Sequence, residues 1–177
     1  MAKRQKPFTV FTHQEGFEFL SNMRQYPIQY EGEIFRASEN VYQFSKLPDE
    51  LKNSYKKRFA KMHPFVARKM TRKLPVRDDW EDVKLQVMLQ VLILKFSQHP
   101  DLKEKLLEIE GPIVEYNYWK DTFWGYDVNL KKGSNYLGKL LMLIRDAWKF
   151  GKKPSLKNLP NYEIYTPEHP EFKKFLE

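Results

Sequence analysis

The stretch from Ile34 to Lys46 is IFRASENVYQFSK, in which a short apolar strand pattern gives way to a helical one. We expect Ser38 to be the N-cap of this helix, because its hydroxyl can accept a hydrogen bond from a free first-turn amide. Glu39 then lies in the first turn, with Gln43 one turn later and Lys46 two turns later on the same face. The sequence therefore predicts a carboxylate, an amide and an ammonium group along one helix face.

The carboxylate of Glu39 has two interpretations. In a first turn it can simply complement the positive end of the helix dipole, which requires no further role. The alternative is a functional carboxylate that acts on a bound molecule. The helix pattern alone is compatible with both.

Composition restricts the class of protein. The chain has 177 residues, 41% of them hydrophobic, which is enough for one compact domain with a real core. It has no cysteine, so a disulfide framework, a thiol nucleophile and a cysteine-ligated zinc site are excluded. The histidines at positions 13, 63, 99 and 169 show no close ligand spacing, and we expect no metal site.

Membrane association is not predicted. The longest apolar run, Val87 to Phe96, is shorter than the roughly 20 residues that a membrane helix needs. The basic N-terminus lacks an apolar signal core, so we expect a cytoplasmic protein. The 31 basic and 23 acidic residues give a net charge of +8. That surplus favours anionic partners such as nucleic acid or phosphorylated metabolites.

The segments around the central stretch predict a mixed fold. A strand pattern covers residues 8–12, and residues 28–30 and 33–35 flank a glycine turn that is typical of a hairpin. After Lys46 helical patterns dominate, and the longest, Asp79 to Phe96, has an apolar stripe so wide that we expect burial on most sides. The predicted fold class is α+β: a predominantly α-helical single domain with a small antiparallel sheet from the N-terminal third.

The second half of the chain contains an aromatic stretch, a long helix and the predicted end of the domain. An irregular aromatic stretch from Tyr118 to Gly125 precedes a helix predicted from Asn135 to Phe150, with Gly151 as its C-terminal cap. Gly138 lies inside this helix, where glycine costs about 1 kcal/mol relative to alanine, so we expect another backbone to approach it closely. We assign residues 1–151 to the domain and expect residues 152–177 to form a peripheral strap, part of it disordered.

Short motifs follow one another in a fixed order between about Phe19 and Arg145. They are Leu20-Ser21-Asn22, Ser38-Glu39 with Tyr42-Gln43 and Lys46, His63-Pro64 with Ala67, Arg77 with Trp80 and Val83-Lys84, Lys95-Phe96, Asp121 with Phe123-Trp124-Gly125, and Asn135 with Leu137-Gly138. No single motif is specific, but the ordered set resembles the NADAR family, whose YbiA-like members are N-glycosidases acting on ribosides. The resemblance covers most of the chain.

The resemblance implies hydrolysis of a ribosyl C1′–N bond, a reaction for which we expect no metal and no organic cofactor. Breaking this bond builds positive charge at C1′ and the ring oxygen, which a carboxylate stabilises. Glu39 is the predicted catalytic carboxylate, and it could also orient or deprotonate the attacking water. Asp121 is the second predicted catalytic carboxylate, and it could act as an acid, as a base or as the hydrogen-bond acceptor for a ribose hydroxyl. The alternative interpretation is that Asp121 is a structural residue of a loop or a helix cap.

Six further residues are carried over as candidates for substrate binding. Trp124 offers a flat face for a base or sugar, or else fills the core. Three amides are predicted to hold hydroxyls or phosphate: Asn22, Gln43 and Asn135. Two cations, Lys46 and Arg77, are predicted to bind phosphate. Each of these polar side chains could instead satisfy buried backbone.

Two features depart from the family pattern. Members usually show Ser-Glu-His where this chain has Ser38-Glu39-Asn40, which removes either a proton carrier or a packing imidazole. They carry a glycine-rich loop where this chain has YDVNLKKG over residues 126–133. Bulk and two positive charges replace flexible backbone there, so we expect the entrance to the pocket to differ.

The family includes members implied to act on riboflavin-pathway ribosyl intermediates and members implied to remove ADP-ribose from guanine in nucleic acid. Basic residues crowd the segment from Lys52 to Lys73, and Lys131 and Lys132 lie in the altered loop. This charge favours a substrate with several phosphates, so we expect ADP-ribose on a nucleic-acid base ahead of a riboflavin-pathway intermediate. The alternative is a noncatalytic nucleic-acid-binding or partner-blocking protein on the same fold.

Overall fold

The computed structural model describes residues 10–160, and the predicted fold class is confirmed: a predominantly helical α+β domain with a small antiparallel sheet in its N-terminal part. Within these residues the helices are α1 (Ser38–Ser45), α2 (Asp49–Lys61), α3 (Pro64–Thr71), α4 (Trp80–Gln98), α5 (Pro100–Glu108) and α6 (Tyr136–Lys149). The strands are β1 (Val10–Phe11), β2 (Ile28–Tyr30), β3 (Glu33–Phe35), β4 (Ile113–Val114), β5 (Tyr116–Asn117) and β6 (Tyr126–Asp127).

The chain traces two compact units. Ser21–Lys103 forms the first, which we call the central unit. The second, which we call the terminal unit, combines Met1–Leu20 with Glu104–Glu177. The predicted strand over residues 8–12 begins outside the described residues, and the part of the predicted strap beyond residue 160 also lies outside them.

The central unit is built around α1. The predicted hairpin leads into it, with β2 and β3 antiparallel and Ile28 opposite Phe35. Glu31 and Gly32 both have positive φ, 47° and 80°, as a two-residue type I′ turn requires. Every residue of α1 is buried, and the helix contacts α2, α3, α4 and both hairpin strands. Helix α1 is therefore at the core of this unit, whereas Ile34 in the strand before it is exposed.

The start of α1 differs from the prediction. Ser38 is the first helical residue rather than the N-cap, and Ala37, with extended backbone, occupies the cap position without a side-chain hydrogen bond. A tertiary contact replaces the missing cap, because the amide of Glu39 donates to the carbonyl oxygen of Asn22 at 3.0 Å. The prediction that the Ser38 hydroxyl caps this helix is wrong.

The longest helix, α4, is buried along one side, and the expected burial on most sides is not found. Val83, Val87 and Leu94 belonged to the predicted apolar stripe and are only half-buried. Apolar residues follow one another without a break from Val91 to Leu94, so their periodicity does not define one face. The residues of α4 that are buried are Trp80, Met88, Leu89, Val91, Leu92, Lys95 and Phe96.

The terminal unit contains two parallel strand pairs that the sequence patterns did not indicate. β1 pairs with β4, and β5 pairs with β6. Helix α6 packs on β4, and the predicted close approach at Gly138 is confirmed: a Cβ there would overlap the carbonyl oxygen of Ile113 and the side chain of Asn135. Gly151, with φ of 62°, follows the end of this helix as predicted.

Candidate active site

Glu39 lies in the first turn of α1, and its side chain is almost completely buried. It is 8% exposed, and the hydrogen bond from its amide to Asn22 fixes its position relative to the segment before the hairpin. The negative charge thus lies close to the N-terminal end of a helix, where the helix dipole stabilises it. A buried carboxylate is costly unless polar groups surround it, so its neighbours indicate what it does.

A directed chain of hydrogen bonds orients the Glu39 carboxylate. Gln43 donates from Nε2 to Oε1 of Glu39 at 2.8 Å, and Thr71 on α3 donates from Oγ1 to Oε1 of Gln43 at 2.6 Å. Gln43 and Thr71 are both buried. Since the Gln43 amide has its oxygen toward Thr71 and its nitrogen toward Glu39, the carboxylate is held in a defined orientation.

The ammonium group of Lys46 lies over two aromatic rings and interacts electrostatically with Glu39. The ammonium group of Lys46 is 5.0 Å from the ring centre of Tyr42 and 5.5 Å from that of Trp80. Burial lowers the pKa of Lys46; the negative charge of Glu39 opposes this shift, and the positive charges of Arg68 and Arg72 add to it. Lys46 therefore interacts with two carboxylates, Glu39 and Glu81, as well as with the two arginines.

Three buried polar atoms near Glu39 have no hydrogen-bond partner among the described residues, and one of them is Oδ1 of Asn40, the next residue in the chain. Asn22 is 7% exposed and donates to the Met88 sulfur at 3.2 Å, but its Oδ1 accepts no hydrogen bond. The hydroxyl oxygen of Ser38, next to Glu39 in the chain, is also without a partner. Buried polar atoms are almost always paired in folded proteins, and unpaired ones call for an explanation such as a ligand that completes them.

Asn40, which stands where the family usually has histidine, has a structural contact. Its Nδ2 donates to the carbonyl oxygens of Phe59 and Met62, both at 2.9 Å, at the C-terminal end of α2. Carbonyls at a helix end lack helical partners, so Asn40 ties the end of α2 to α1. Of the two interpretations of the substitution, this geometry favours a packing position over a proton carrier.

Asp121 and Trp124 lie in the terminal unit. Oδ1 of Asp121 accepts hydrogen bonds from the amides of Phe123 and Trp124, at 3.1 and 2.9 Å, so this carboxylate shapes the loop that carries the Trp124 ring. Trp124 is half-buried, and its ring meets that of Phe123 edge-on at 4.9 Å. These contacts match the interpretation of Asp121 as a loop residue, and its Oδ2 takes no part in them.

Asn135 and Arg77 already have protein partners. The buried Asn135 side chain accepts from the amide of Glu115 and donates to the carbonyl of Ile113, both at 2.9 Å, which ties the start of α6 to β4. The guanidinium of Arg77 forms a two-point ion pair with Asp79, and this hydrogen bond raises the Arg77 pKa.

The structure brings four of the predicted site residues together in the central unit: Asn22, Glu39, Gln43 and Lys46. Asp121, Trp124 and Asn135 form a second group in the terminal unit. Sequence reasoning missed Thr71, Arg68 and Arg72. Arg68 lies in α3 and Arg72 is its C-terminal cap, four residues later, a spacing that could have indicated a shared face. Nothing in the sequence identified Thr71 as the partner of Gln43.

Known proteins resemble most of this chain. A family model described as the NADAR domain matches residues 1–149. N-glycosidase YbiA of Escherichia coli is 34% identical over 139 residues, which are 77% of this chain and 84% of that protein. The riboflavin biosynthesis protein PYRR of Arabidopsis thaliana is 42% identical over 85 residues, 47% of this chain and 14% of that protein. The NMR structure of E. coli YbiA superposes with a TM-score of 0.72 at 31% identity, covering 83% of this chain and 88% of that one.

Proposed function

This chain belongs to the NADAR family, and from that premise we propose that it is an N-glycosidase that hydrolyses the ribosyl C1′–N bond of a phosphorylated or ADP-ribosylated substrate. The observation that carries the proposal is the Glu39 carboxylate, which is buried, held by Gln43 and in electrostatic interaction with Lys46. Relatives named as N-glycosidases over most of the chain support the reaction class.

The proposed chemistry uses the charge of Glu39. As the C1′–N bond breaks, its electron pair leaves with the base, and C1′ and the ring oxygen become positive. A fixed carboxylate stabilises this positively charged transition state more than it stabilises the neutral substrate, and the activation barrier is therefore lower. Water then forms the new C1′–O bond and loses one proton to Glu39, which passes it to solvent, while the departing nitrogen takes up one proton from solvent.

Substrate binding is proposed for the neighbours of Glu39. The free acceptor of Asn22 suits a ribose hydroxyl, and Lys46, together with Arg68 and Arg72, suits phosphate groups. Several cations in one place favour ADP-ribose on a nucleic-acid base over a monophosphorylated riboside. The relatives named for riboflavin biosynthesis support the riboside as the second candidate.

The proposal also assigns roles to residues of the terminal unit. Asp121 is proposed as the second catalytic carboxylate, with Oδ2 as its reacting atom, because Oδ1 already bonds two amides. Trp124 is proposed to stack on the base or sugar. Substrate contacts by Asn135 and Arg77 stay predictions, since both side chains have protein partners in the structure.

The test is release of free base and reducing sugar from an ADP-ribosylated DNA oligonucleotide and from a riboside monophosphate. We expect Glu39→Gln, which keeps shape and removes charge, to lose about 100-fold or more in kcat. The matched control is Glu50→Gln, which removes an exposed first-turn carboxylate from α2. If Glu39 only complements a helix dipole, both variants will turn over normally.

Comparing the two substrates tests whether the enzyme acts on ADP-ribose attached to a nucleic-acid base or on a monophosphorylated riboside. Faster base release from the ADP-ribosylated oligonucleotide, declining steeply as salt rises, is the expected result. Equal or better hydrolysis of the riboside monophosphate, indifferent to salt, would favour the metabolite. Salt-dependent nucleic-acid binding with no base released from either substrate would favour the noncatalytic alternative.

A further inference from the structure

Asp127 in the terminal unit joins two loop segments that are separate in sequence. It is completely buried, and its carboxylate accepts hydrogen bonds from the amide of Lys120 at 2.8 Å and from that of Leu130 at 2.7 Å. Its main chain exchanges two further hydrogen bonds with Lys132. These amides, that of Leu130 above all, lower the pKa of Asp127. Residues 118–120 and 130–132 are therefore held side by side on one buried anchor.

Large aromatic and aliphatic side chains on these segments face solvent. Tyr118 is 65% exposed and Trp119 is 51% exposed, and Leu130 is also exposed. The Trp119 ring makes an edge contact with His13 at 5.5 Å between ring centres. The amide of Trp119 donates to the buried Asn117 side chain. The backbone beneath the aromatic rings is thus held by hydrogen bonds rather than by burial of the rings.

Lysines flank the aromatic rings, and two of them have an unfavourable backbone conformation. Lys120, Lys131 and Lys132 are all exposed. The φ angles of Lys120 and Lys131 are 66° and 50°, in the left-handed region where glycine or asparagine is the usual choice. Strain of this kind persists where the surrounding structure imposes it, often at a binding site. It holds one ammonium group, that of Lys120, on the segment with the exposed rings and one, that of Lys131, on the neighbouring segment.

We infer that Tyr118, Trp119, Lys120, Lys131 and Lys132 form a binding surface for single-stranded nucleic acid, which we call the aromatic–lysine surface. Successive unpaired bases can stack on exposed rings, and lysines beside them can neutralise the phosphates. Of the acidic groups of this region, Asp127 is buried and bonded to two amides, and Asp121 accepts two amides through one carboxylate oxygen. The combination of flat apolar rings with exposed positive charge fits this partner better than an acidic peptide, which has no bases to stack.

The surface deepens the proposed function in one respect, because it names the nucleic acid around the modified base as single-stranded. The claim that the surface holds the strand with the modified base rests on the proposed function. The binding of single-stranded nucleic acid does not depend on catalysis. Leu130, Lys131 and Lys132 come from residues 126–133, the segment whose bulk and charge are predicted from the sequence to alter the entrance to the pocket.

Binding is tested by fluorescence anisotropy of a labelled oligothymidylate of about 12 nucleotides, the scale of one single-strand site. Trp119→Ala should weaken binding by about 5- to 150-fold, the effect of removing the stacking of one base. Phe150→Ala, which removes a ring that is 76% exposed outside this surface, is the matched control and should bind normally. Trp119→Phe should recover much of the affinity.

The lysines are tested through the salt dependence of the same binding. Lys131→Ala/Lys132→Ala should reduce the slope of log affinity against log salt by about 1.4, which is about 0.7 for each phosphate that no longer meets a lysine. The control Lys152→Ala/Lys153→Ala removes two exposed lysines elsewhere and should leave the slope unchanged. Equal effects of both double variants, an unaffected Trp119→Ala, or tighter binding of duplex or of anionic vesicles would each overturn the inference.

Hydrolysis separates this inference from the proposed function. Trp119→Ala should raise KM for an ADP-ribosylated single-stranded oligonucleotide and leave KM for an ADP-ribosylated mononucleotide unaffected. Variant-sensitive binding with no base release from any substrate would leave the surface standing and remove the proposed function. Base release with equal KM in wild type and Trp119→Ala would leave the function and remove the surface.

Discussion

Single buried polar residues set the chemistry of the central unit. Lys95 is completely buried in α4, donates from Nζ to the carbonyl of Ser21 at 3.0 Å, and lies near the rings of Tyr26 and Phe96. Ser21 precedes Asn22, whose carbonyl receives the amide of Glu39. Burial lowers the pKa of Lys95 to about 7. A lysine that loses its charge near neutrality therefore supports the segment that Glu39 contacts.

Lys95 gives a pH dependence of stability with a definite sign. Its folded pKa lies below its unfolded value, so between about pH 7 and 10 the unfolded chain binds more protons, and stability rises with pH. We expect the free energy of unfolding of wild type, relative to Lys95→Met, to rise by up to about 1.4 kcal/mol per pH unit in this window. Urea titrations at several pH values measure it. A flat difference would mean that Lys95 stays charged when folded.

At the scale of elements, helix ends are completed by distant parts of the chain. Asn22 supplies the carbonyl that receives a first-turn amide of α1, and Asn40 donates to carbonyls at the C-terminal end of α2. In the terminal unit, α6 approaches β4 so closely that only glycine fits at position 138. These contacts fix the orientation of each helix more tightly than apolar packing alone.

Gly138→Ala tests the approach of α6 to β4. Alanine is the better helix former by about 1 kcal/mol, but its Cβ would overlap the Ile113 carbonyl, which cannot move without disturbing β4. We expect a net loss of about 2 kcal/mol or more in the free energy of unfolding, measured by urea denaturation. The control Ala147→Gly, in the same helix, should cost only the propensity difference. A stabilised Gly138→Ala variant would contradict the close contact.

At the scale of the whole molecule, sequence and structure disagree on how α4 is buried. The helix patterns place more apolar residues on α4 than the core takes up. Leu92 is completely buried, whereas Val87, in the same helix, is only half-buried. Within residues 10–160 no helix is long and apolar enough to cross a membrane.

The pair Leu92→Asp and Val87→Asp tests this burial. An unpaired charge at position 92 cannot reach water, so we expect a loss of about 4 kcal/mol or more and an unfolded or insoluble protein. At position 87 the carboxylate can reach solvent, and a loss of about 1 kcal/mol is expected. Melting temperatures by circular dichroism distinguish the two. Equal destabilisation would mean that α4 is buried all round.

The sequence by itself determined the helices, the hairpin and the contact between Glu39 and Gln43. The hairpin, α1 and the helices after it follow from local periodicity and turn residues, and the one-turn spacing of Glu39 and Gln43 places them in contact. The sequence also predicted the close approach at Gly138, because glycine destabilises a helix relative to alanine unless a neighbouring backbone leaves no room for a side chain. These features depend on residues close together in the chain, where pattern and geometry are tightly linked.

Only the tertiary structure decided the partners. The carbonyl that replaces Ser38 as the cap, the Thr71 hydroxyl behind Gln43 and the parallel pairing of β1 with β4 all come from segments far away in sequence. The same holds for the pKa of Lys46, which depends on burial and on the charges of Arg68 and Arg72. Hydrogen bonds and desolvation depend on distance in space, and local periodicity carries no information on which distant group comes within reach.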